Sequence, residues 1–186
     1  MIILEGPDGS GKTSLMGNLL DRLHGVEQHE RASTSKGGPV DNIFDWAQED
    51  VLTWPVQPLA VYDRHPLFSE PIYGPIIRQT LDPRFNSPVF GRPLTQHVLK
   101  DGLIVICLPD PQFVIDNVRG NEDDQMEGVM YRIESIYSEY RRLQHNLRGR
   151  RNVFWYDYNR NGDLEQLVTV AKAHQIMWNK NRGIHG

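Results

Sequence analysis

The sequence has a single cysteine among its 186 residues, so no disulfide can form within the chain. That residue, Cys107, lies in the apolar run 103–108, and we expect a buried thiol rather than a nucleophile. No apolar run approaches the roughly 18 residues that a membrane-spanning helix needs, so we expect no membrane partner. The histidines and the cysteine show no metal-ligand spacing, so a structural zinc site is not supported.

An excess of either charge is also missing. Lys and Arg together number 20 and Asp and Glu 24, which gives a net charge of −4. This balance provides no global attraction to nucleic acid, although it is compatible with a local basic face. Repeats and low-complexity tracts are absent, and the length suits a single domain over 1–186. Because the first apolar run begins at Met1, we expect no signal peptide and a cytoplasmic location.

What the sequence does contain is an alternation of short apolar runs with segments of helical period. The apolar runs are 1–4, 59–62, 103–108 and 153–156, with a weaker strand candidate at 28–31. Helical segments are predicted near 12–24, 41–53, 69–80, 93–100, 110–118, 126–147 and 163–178. Runs that are apolar along their whole length are typical of strands covered on both faces. The pattern predicts an α/β fold of three layers, with a parallel five-stranded sheet flanked by helices.

The octapeptide 6–13 reads GPDGSGKT, follows the first apolar run and opens the first helical segment. A strand, this motif and a helix together predict a phosphate-binding loop. Its glycines let backbone N–H groups turn toward a phosphate chain, and the helix start adds the positive end of its dipole. Lys12 would reach the β and γ phosphates of ATP, and the Thr13 hydroxyl would hold Mg²⁺. The predicted cofactor-binding residues are Gly6, Asp8, Gly9, Ser10, Gly11, Lys12, Thr13 and Ser14.

A second polar motif, Asp63-Arg64-His65, follows the apolar run 59–62. Ligands of parallel α/β sheets bind at the carboxyl ends of the strands, so this motif should emerge beside the phosphate loop. Asp63 would hold Mg²⁺ directly or through water, or orient the acceptor. Arg64 would make a two-pronged contact with an acceptor phosphate, unless it forms a local salt bridge with Asp63. His65 either contacts the acceptor or caps the end of the strand.

These motifs resemble the thymidylate kinase family. The resemblance is carried by LEGPDGSGKTSL at 4–15, by DRHPLFSEPIYG at 63–74 and more loosely by the helix beginning QMEGV at 125, and the second motif is closest to bacteriophage-encoded members. It implies a P-loop kinase that uses ATP and Mg²⁺ to phosphorylate a thymidine-like nucleotide in the cytoplasm, as a possible homodimer. By the same resemblance, Ser69 and Tyr73 would line the acceptor site.

One feature of that family is missing from the phosphate loop. Its members offset charge on the transferring phosphoryl group with arginines from this loop or from a flexible lid. Here the variable loop positions Pro7, Asp8 and Ser10 carry no cation. A lid is expected at about 119–128, and the cation would then come from Arg119 or Arg132, since one arginine can contribute about 10³–10⁵ in rate.

The acceptor stays open between two alternatives, with the free deoxynucleotide ahead. The other is 5-hydroxymethyluracil in phage DNA, the substrate of a related branch of kinases that resemble the family in the same two motifs. For DNA, the loop 81–93 would supply Phe85 and Phe90 to wedge or stack, and Arg84 and Arg92 to contact phosphates. The arginine-rich run 141–151 would support that alternative, but a solvated helix end with cations near the negative end of its dipole is the favoured interpretation of the run. A free nucleotide needs the loop 81–93 only as a cap. A nucleotide-binding switch without kinase activity is the remote third possibility.

Overall fold

The structure is a computed structural model that describes residues 1–30, 32, 38–121 and 128–183. Its sheet is parallel, with the strand order β2-β3-β1-β4-β5. The strands are β1 (Ile2–Glu5), β2 (Glu27–Gln28), β3 (Ala60–Asp63), β4 (Leu103–Cys107) and β5 (Val153–Tyr156). The α-helices are α1 (Lys12–Arg22), α2 (Ile43–Thr53), α3 (Pro66–Tyr73), α4 (Gly91–Asp101), α5 (Pro111–Gly120), α6 (Val129–Asn146) and α7 (Asp163–Asn181). The predicted α/β class and five-stranded parallel sheet are confirmed.

The central strands β1 and β4 are buried along their whole length. Apolar side chains occupy both faces of these strands because helices cover the sheet on both sides. Strand β1 pairs with β3 on one side and with β4 on the other. The carboxyl ends of β1 and β3 are therefore adjacent, with Leu4 opposite Asp63. This register brings the two sequence motifs to one edge of the sheet.

A second apolar cluster lies between α5 and α6 and the end of α3. Val129, Ile133, Ile136, Tyr137 and Tyr140 of α6 are buried in it or at its border. The helix predicted at 126–147 is described from Val129, where α6 begins, and its buried face is part of the core; residues 126 and 127 lie outside the described residues. Most of the predicted lid, residues 122–127, lies outside the described residues. None of the described helices combines the length and the apolar character that crossing a bilayer requires.

The segments after β3 differ from the sequence prediction. Helix α3 begins at Pro66, three residues before the predicted start, because His65 caps it and proline suits the first helical turn. A π-helical turn, Gly74–Arg78, follows. The stretch 81–93 was expected to be irregular, but it contains a 3₁₀ turn at Pro83–Asn86 and the start of α4 at Gly91. A side chain at Gly91 would lie 2.1 Å from the Phe85 carbonyl oxygen, so only glycine fits this close approach.

Candidate functional site

The phosphate loop leaves β1 after Glu5 and enters α1 at Lys12. Gly6 has φ 151° and Gly11 has φ 80°, in the region of positive φ that favours glycine. A Cβ atom on Gly6 would lie 2.3 Å from the Cys107 carbonyl oxygen, and one on Gly11 would lie 2.9 Å from the Tyr158 ring. The glycines are thus required both by backbone conformation and by close packing against neighbouring elements.

Lys12 is buried within this loop. Its Nζ donates to the Pro7 carbonyl oxygen at 2.6 Å and contacts Ser10 Oγ at 3.4 Å. Burial, assisted by the nearby Arg64 charge, lowers the pKa of Lys12 to about 7. A phosphate chain in the loop would favour the charged form, because an opposite charge offsets the cost of desolvation. Thr13 and Ser14 follow in the first turn of α1, and both residues are exposed.

Arg64 links the second motif to the phosphate loop. Its backbone has φ 66°, and its Nε donates to the Gly6 carbonyl oxygen at 3.3 Å. Its terminal nitrogen donates to Asp8 Oδ1 at 2.9 Å and to the Tyr73 hydroxyl at 2.7 Å, and that hydroxyl donates to Asp8 Oδ2 at 2.6 Å. The three side chains form a closed hydrogen-bonded triad, which we call the Asp8–Arg64–Tyr73 triad.

The sequence left two alternatives for Arg64, a contact with an acceptor phosphate and a local salt bridge with Asp63. The contact with an acceptor phosphate stays a prediction. The salt bridge of Arg64 is made with Asp8 of the phosphate loop. Burial would raise the pKa of Asp8, but the charges of Arg64 and Lys12 outweigh it and hold that pKa at about 2. The carboxylate is therefore ionised and balances the guanidinium charge. Asp63 is partly buried at the end of β3, beside this triad.

Glu5 is a site residue that the sequence did not identify firmly. It is fully buried, and its two oxygens accept hydrogen bonds from the His65 backbone N–H at 2.7 Å and the Tyr140 hydroxyl at 3.0 Å. Burial raises the pKa of Glu5 to about 7. An acidic residue that ends an otherwise apolar strand was the available signal. The carboxyl joins β1, α6 and the start of α3, so it holds the motif that contains Arg64.

His65, predicted as a possible acceptor contact, is fully buried. Its Nδ1 accepts from the Leu67 backbone N–H at 3.2 Å, so the neutral ring carries its proton on Nε2 and donates to Asp50 at 3.2 Å. Its ring therefore caps α3 and does not face a ligand. Ser69, also predicted to line the acceptor site, is buried and donates to the His65 carbonyl oxygen at 3.2 Å.

Two side chains of the loop 81–93 that were predicted to contact DNA, Phe85 and Arg84, are engaged within the fold. Phe85 is 4% exposed and packs edge to face on Phe44 with ring centroids 5.1 Å apart, so it cannot wedge between bases without leaving the core. Arg84 is bound by Asp82 at 2.7 Å and by Asp45 at 2.6 Å. Its charge is thus already balanced by two carboxylates. Phe90 and Arg92 are exposed near the start of α4.

Asn117 and Tyr158, which belong to neither sequence motif, contact the phosphate loop. Asn117 Nδ2 donates to the Gly9 carbonyl oxygen at 2.9 Å and to the Tyr158 hydroxyl at 3.2 Å. This contact brings the end of α5 against the loop, and Arg119 lies exposed on the last turn of that helix. Arg132 is exposed on the first turns of α6. In the sequence, Arg119 precedes residues 122–127 and Arg132 follows them.

Oxygen ligands are available for the expected Mg²⁺. No group of three or more His, Cys, Asp or Glu residues in the described ranges could hold a metal by itself. A hydroxyl at Thr13 and a carboxylate at Asp63 still suit Mg²⁺, which usually binds one or two protein oxygens and takes its other ligands from phosphate and water. The donor set thus fits a metal that arrives with a nucleotide.

The sheet order, the glycine loop between β1 and α1 and the motif at the end of β3 define the class as the three-layer α/β fold of P-loop kinases. The YorR protein of Bacillus subtilis, solved with phosphorylated GDP, is similar with a TM-score of 0.63 and 19% identity, over 94% of this chain and 97% of that chain. A scan against protein-family models and a search of curated proteins gave no match.

Two further structures extend this similarity. Deoxyadenosine kinase from M. mycoides, solved with dCMP and a flexible dCDP, has a TM-score of 0.54 and 11% identity, over 92% of this chain and 98% of that chain. Shikimate kinase from Acinetobacter baumannii, solved with shikimate, has a TM-score of 0.52 and 12% identity, over 96% of this chain and 93% of that chain. At these identities the similarity establishes the fold.

Proposed function

We propose that the protein is a kinase that transfers the γ-phosphoryl group of Mg·ATP to a thymidine-like deoxynucleotide. The observation that carries this proposal is the direct link between Arg64 and the phosphate loop through Gly6 and Asp8. It ties the expected acceptor motif to the expected donor loop, within hydrogen-bond distance. Phosphoryl transfer needs little beyond such positioning and electrostatic stabilisation. The fold shared with the deoxyadenosine kinase of M. mycoides supports a nucleoside or nucleotide acceptor.

The phosphate loop, Asp63 and the arginines at 119 and 132 have defined roles in this proposal. Lys12 and the loop amides would bind the β and γ phosphates, while Thr13 and Asp63 would hold Mg²⁺. The acceptor oxygen would bond to the γ-phosphorus as the bond to the bridging oxygen breaks, which releases ADP. Where the acceptor is a hydroxyl, Asp63 would take its proton. Arg119 or Arg132 would stabilise the developing charge from the predicted lid at 119–128.

A base in DNA is the second candidate acceptor. A concavity of about 390 Å³ is lined by Arg141, Gln144, His145 and Arg148 around the Trp155 ring. In the described residues, neither Arg141 nor Arg148 forms an ion pair, and cations beside an aromatic ring suit a nucleic acid strand. The burial of Phe85 removes one element of this alternative. The DNA alternative, with 5-hydroxymethyluracil as the acceptor, therefore requires that the concavity around Trp155 binds the DNA strand.

The test is a transfer assay with labelled ATP and three acceptors: dTMP, free hydroxymethyl-dUMP and duplex DNA containing hydroxymethyluracil. We expect label in a free nucleotide, whereas label in DNA alone would replace the first candidate by the second.

Lys12→Ala should abolish transfer. Asp63→Asn should lower kcat by about 10²–10⁴ with little change in ATP affinity. Lys172→Ala, an exposed change on α7, is the matched control. ATP hydrolysis that no acceptor accelerates would identify a nucleotide switch and refute both candidates.

A further inference from the structure

A second cavity lies at the opposite edge of the sheet from the phosphate loop. It has a volume of about 590 Å³ and lies among the start of β4, the end of α4, the end of α7 and the 3₁₀ turn Trp54–Val56. These parts all lie at the amino ends of the strands. The length of a four-residue strand, about 13 Å, separates this edge from the phosphate loop. Its volume falls within the range of about 300–1,000 Å³ that is common for small-molecule sites.

The walls of this cavity are largely aromatic and aliphatic. The Trp54 and Trp178 rings stack with centroids 5.2 Å apart and an interplanar angle of 6°. Leu103, Val170, Ala173 and Met177 complete the apolar lining. A surface of this kind binds the apolar body of a ligand by removing it from water.

Three buried nitrogen atoms in the lining residues have no hydrogen-bond partner in the described parts of the chain. They are Trp54 Nε1, Trp178 Nε1 and His174 Nε2. The tryptophans are 1% and 8% exposed, and each unsatisfied buried donor costs about 1–3 kcal/mol. Indole nitrogen is only a donor, so it requires an acceptor atom. These indole nitrogens are shielded from water, so water does not provide the acceptor. A ligand oxygen could accept their hydrogen bonds if it entered the wall or if the rings shifted toward the cavity.

The rim of the cavity carries more positive than negative charge. Arg182 is already engaged, because it donates to the Gln57 and Val56 carbonyl oxygens at 2.6 and 2.7 Å. Asp101 lies 3.9 Å from His97. Lys100 and Arg151 are exposed and have no ion-pair partner among the residues that the structure describes. Two unbalanced cations above an apolar floor select a ligand that combines an anionic group with an apolar body.

We infer that this cavity is a binding site for a small organic anion with an aromatic or branched apolar body, separate from the nucleotide site. The anionic group would lie between Lys100 and Arg151, and the body would rest on the tryptophan pair. The inference does not depend on the proposed kinase activity, because it uses none of the residues of the phosphate loop or of the Asp8–Arg64–Tyr73 triad.

The test uses anilinonaphthalene sulfonate, an aromatic sulfonate whose fluorescence rises when it leaves water. We expect one saturable site per chain, accompanied by quenching of tryptophan emission, and no displacement by saturating Mg·ATP. Benzoate should compete with the probe, whereas inorganic sulfate at equal concentration should not. Displacement by Mg·ATP would place the probe in the nucleotide site and overturn the inference. Displacement by sulfate as strongly as by benzoate would also overturn it, since the apolar body would then contribute nothing.

Variants locate the probe within the cavity. Ala173→Phe fills the cavity from an exposed position of α7 and should reduce probe affinity at least tenfold. Lys100→Gln combined with Arg151→Gln should have a similar effect by removing the anion contacts. Lys172→Gln, a change at an exposed lysine of α7 that does not line the cavity, is the matched control. Unchanged affinity in the Ala173→Phe protein would refute the site. Because ATP binding is measured on the same samples, a failed proposal for the nucleotide site would be recognised separately.

Discussion

A single carboxyl group, that of Glu5, supports the motif that contains Arg64. It accepts hydrogen bonds from the His65 backbone and from Tyr140, and it is shielded from water. Residue 64 adopts a left-handed conformation between Asp63 and His65, which is costly for an arginine. The hydrogen bond to the next residue is one of the contacts that hold this conformation. Glu5 therefore acts on the candidate site through the backbone.

The Glu5 carboxyl should make stability depend on pH. Burial raises its pKa from 4.5 to about 7, so the folded chain binds more protons than the unfolded chain between these values. The contribution of this group therefore falls as pH rises from 4.5 to 7 and is constant above that window. Glu5→Gln keeps the shape without the titration. We expect the stability of the native protein relative to the Gln variant to fall by roughly 2–3 kcal/mol from pH 5 to pH 7.5.

Urea unfolding of both proteins at the two pH values measures this difference. Glu27→Gln, a change at an exposed residue of β2, controls for a general effect of charge removal. If the difference in unfolding free energy between the native protein and the Gln variant is the same at both pH values, the pKa of Glu5 is not raised in the folded chain.

At the scale of elements, Asp50 connects α2 to the end of β3. Its carboxylate accepts from the Tyr62 hydroxyl at 3.1 Å and from His65 at 3.2 Å, and it lies 3.1 Å from His29 Nε2. The His29 ring also stacks on Tyr62 with centroids 4.1 Å apart. Burial alone would lower the pKa of His29, but the bond to Asp50 outweighs it and raises that pKa. The Asp50 carboxylate thus holds Tyr62 and His65, which flank Asp63 and Arg64 in the chain.

Replacement of Asp50 by Asn should therefore destabilise the protein more at low pH than at high pH. A histidine with a raised pKa contributes stability that is complete below pH 6.5 and is lost as pH rises through its folded pKa. We expect a loss of about 2–4 kcal/mol at pH 6 and a smaller loss at pH 8.5, measured by urea unfolding. Glu49→Gln, an exposed neighbour on α2, should show little change at either pH. An equal loss at both pH values would rule out a charged pair with His29.

The same contacts explain what the sequence could and could not predict. The loop between β1 and α1 was predictable because its glycines, Lys12 and Thr13 all lie within one stretch of eight residues, and glycine permits the positive φ values that the loop adopts. The place of the second motif followed from the rule for parallel strands. The partners of Glu5 lie 60 and 135 residues away, so only the packed chain reveals them. Phe85 was misassigned because a proline-rich segment can still send one ring into the core.

For the whole molecule, the candidate site has a stability cost that a nucleotide would offset. Lys12 is buried at the start of α1, and burial together with the nearby Arg64 charge lowers its pKa to about 7. The unfolded chain therefore binds more protons than the folded chain between pH 7 and 10.5, so stability from this group rises with pH through that window. Below pH 7 the folded chain carries the full cost of a buried charge.

This cost leads to opposite effects of one substitution with and without ligand. Lys12→Met replaces the cation by an apolar side chain of similar length, so without nucleotide the variant should be at least as stable as the native protein at pH 6.5. Mg·ATP at about 100 times its Kd should stabilise the native protein by about 2.7 kcal/mol, a rise in Tm of about 5–10 °C. The same nucleotide concentration should leave the Tm of the variant unchanged, because the phosphates lose their cationic partner. Thermal unfolding followed by circular dichroism measures both effects, and an equal rise in both proteins would show that Lys12 does not contact the phosphates.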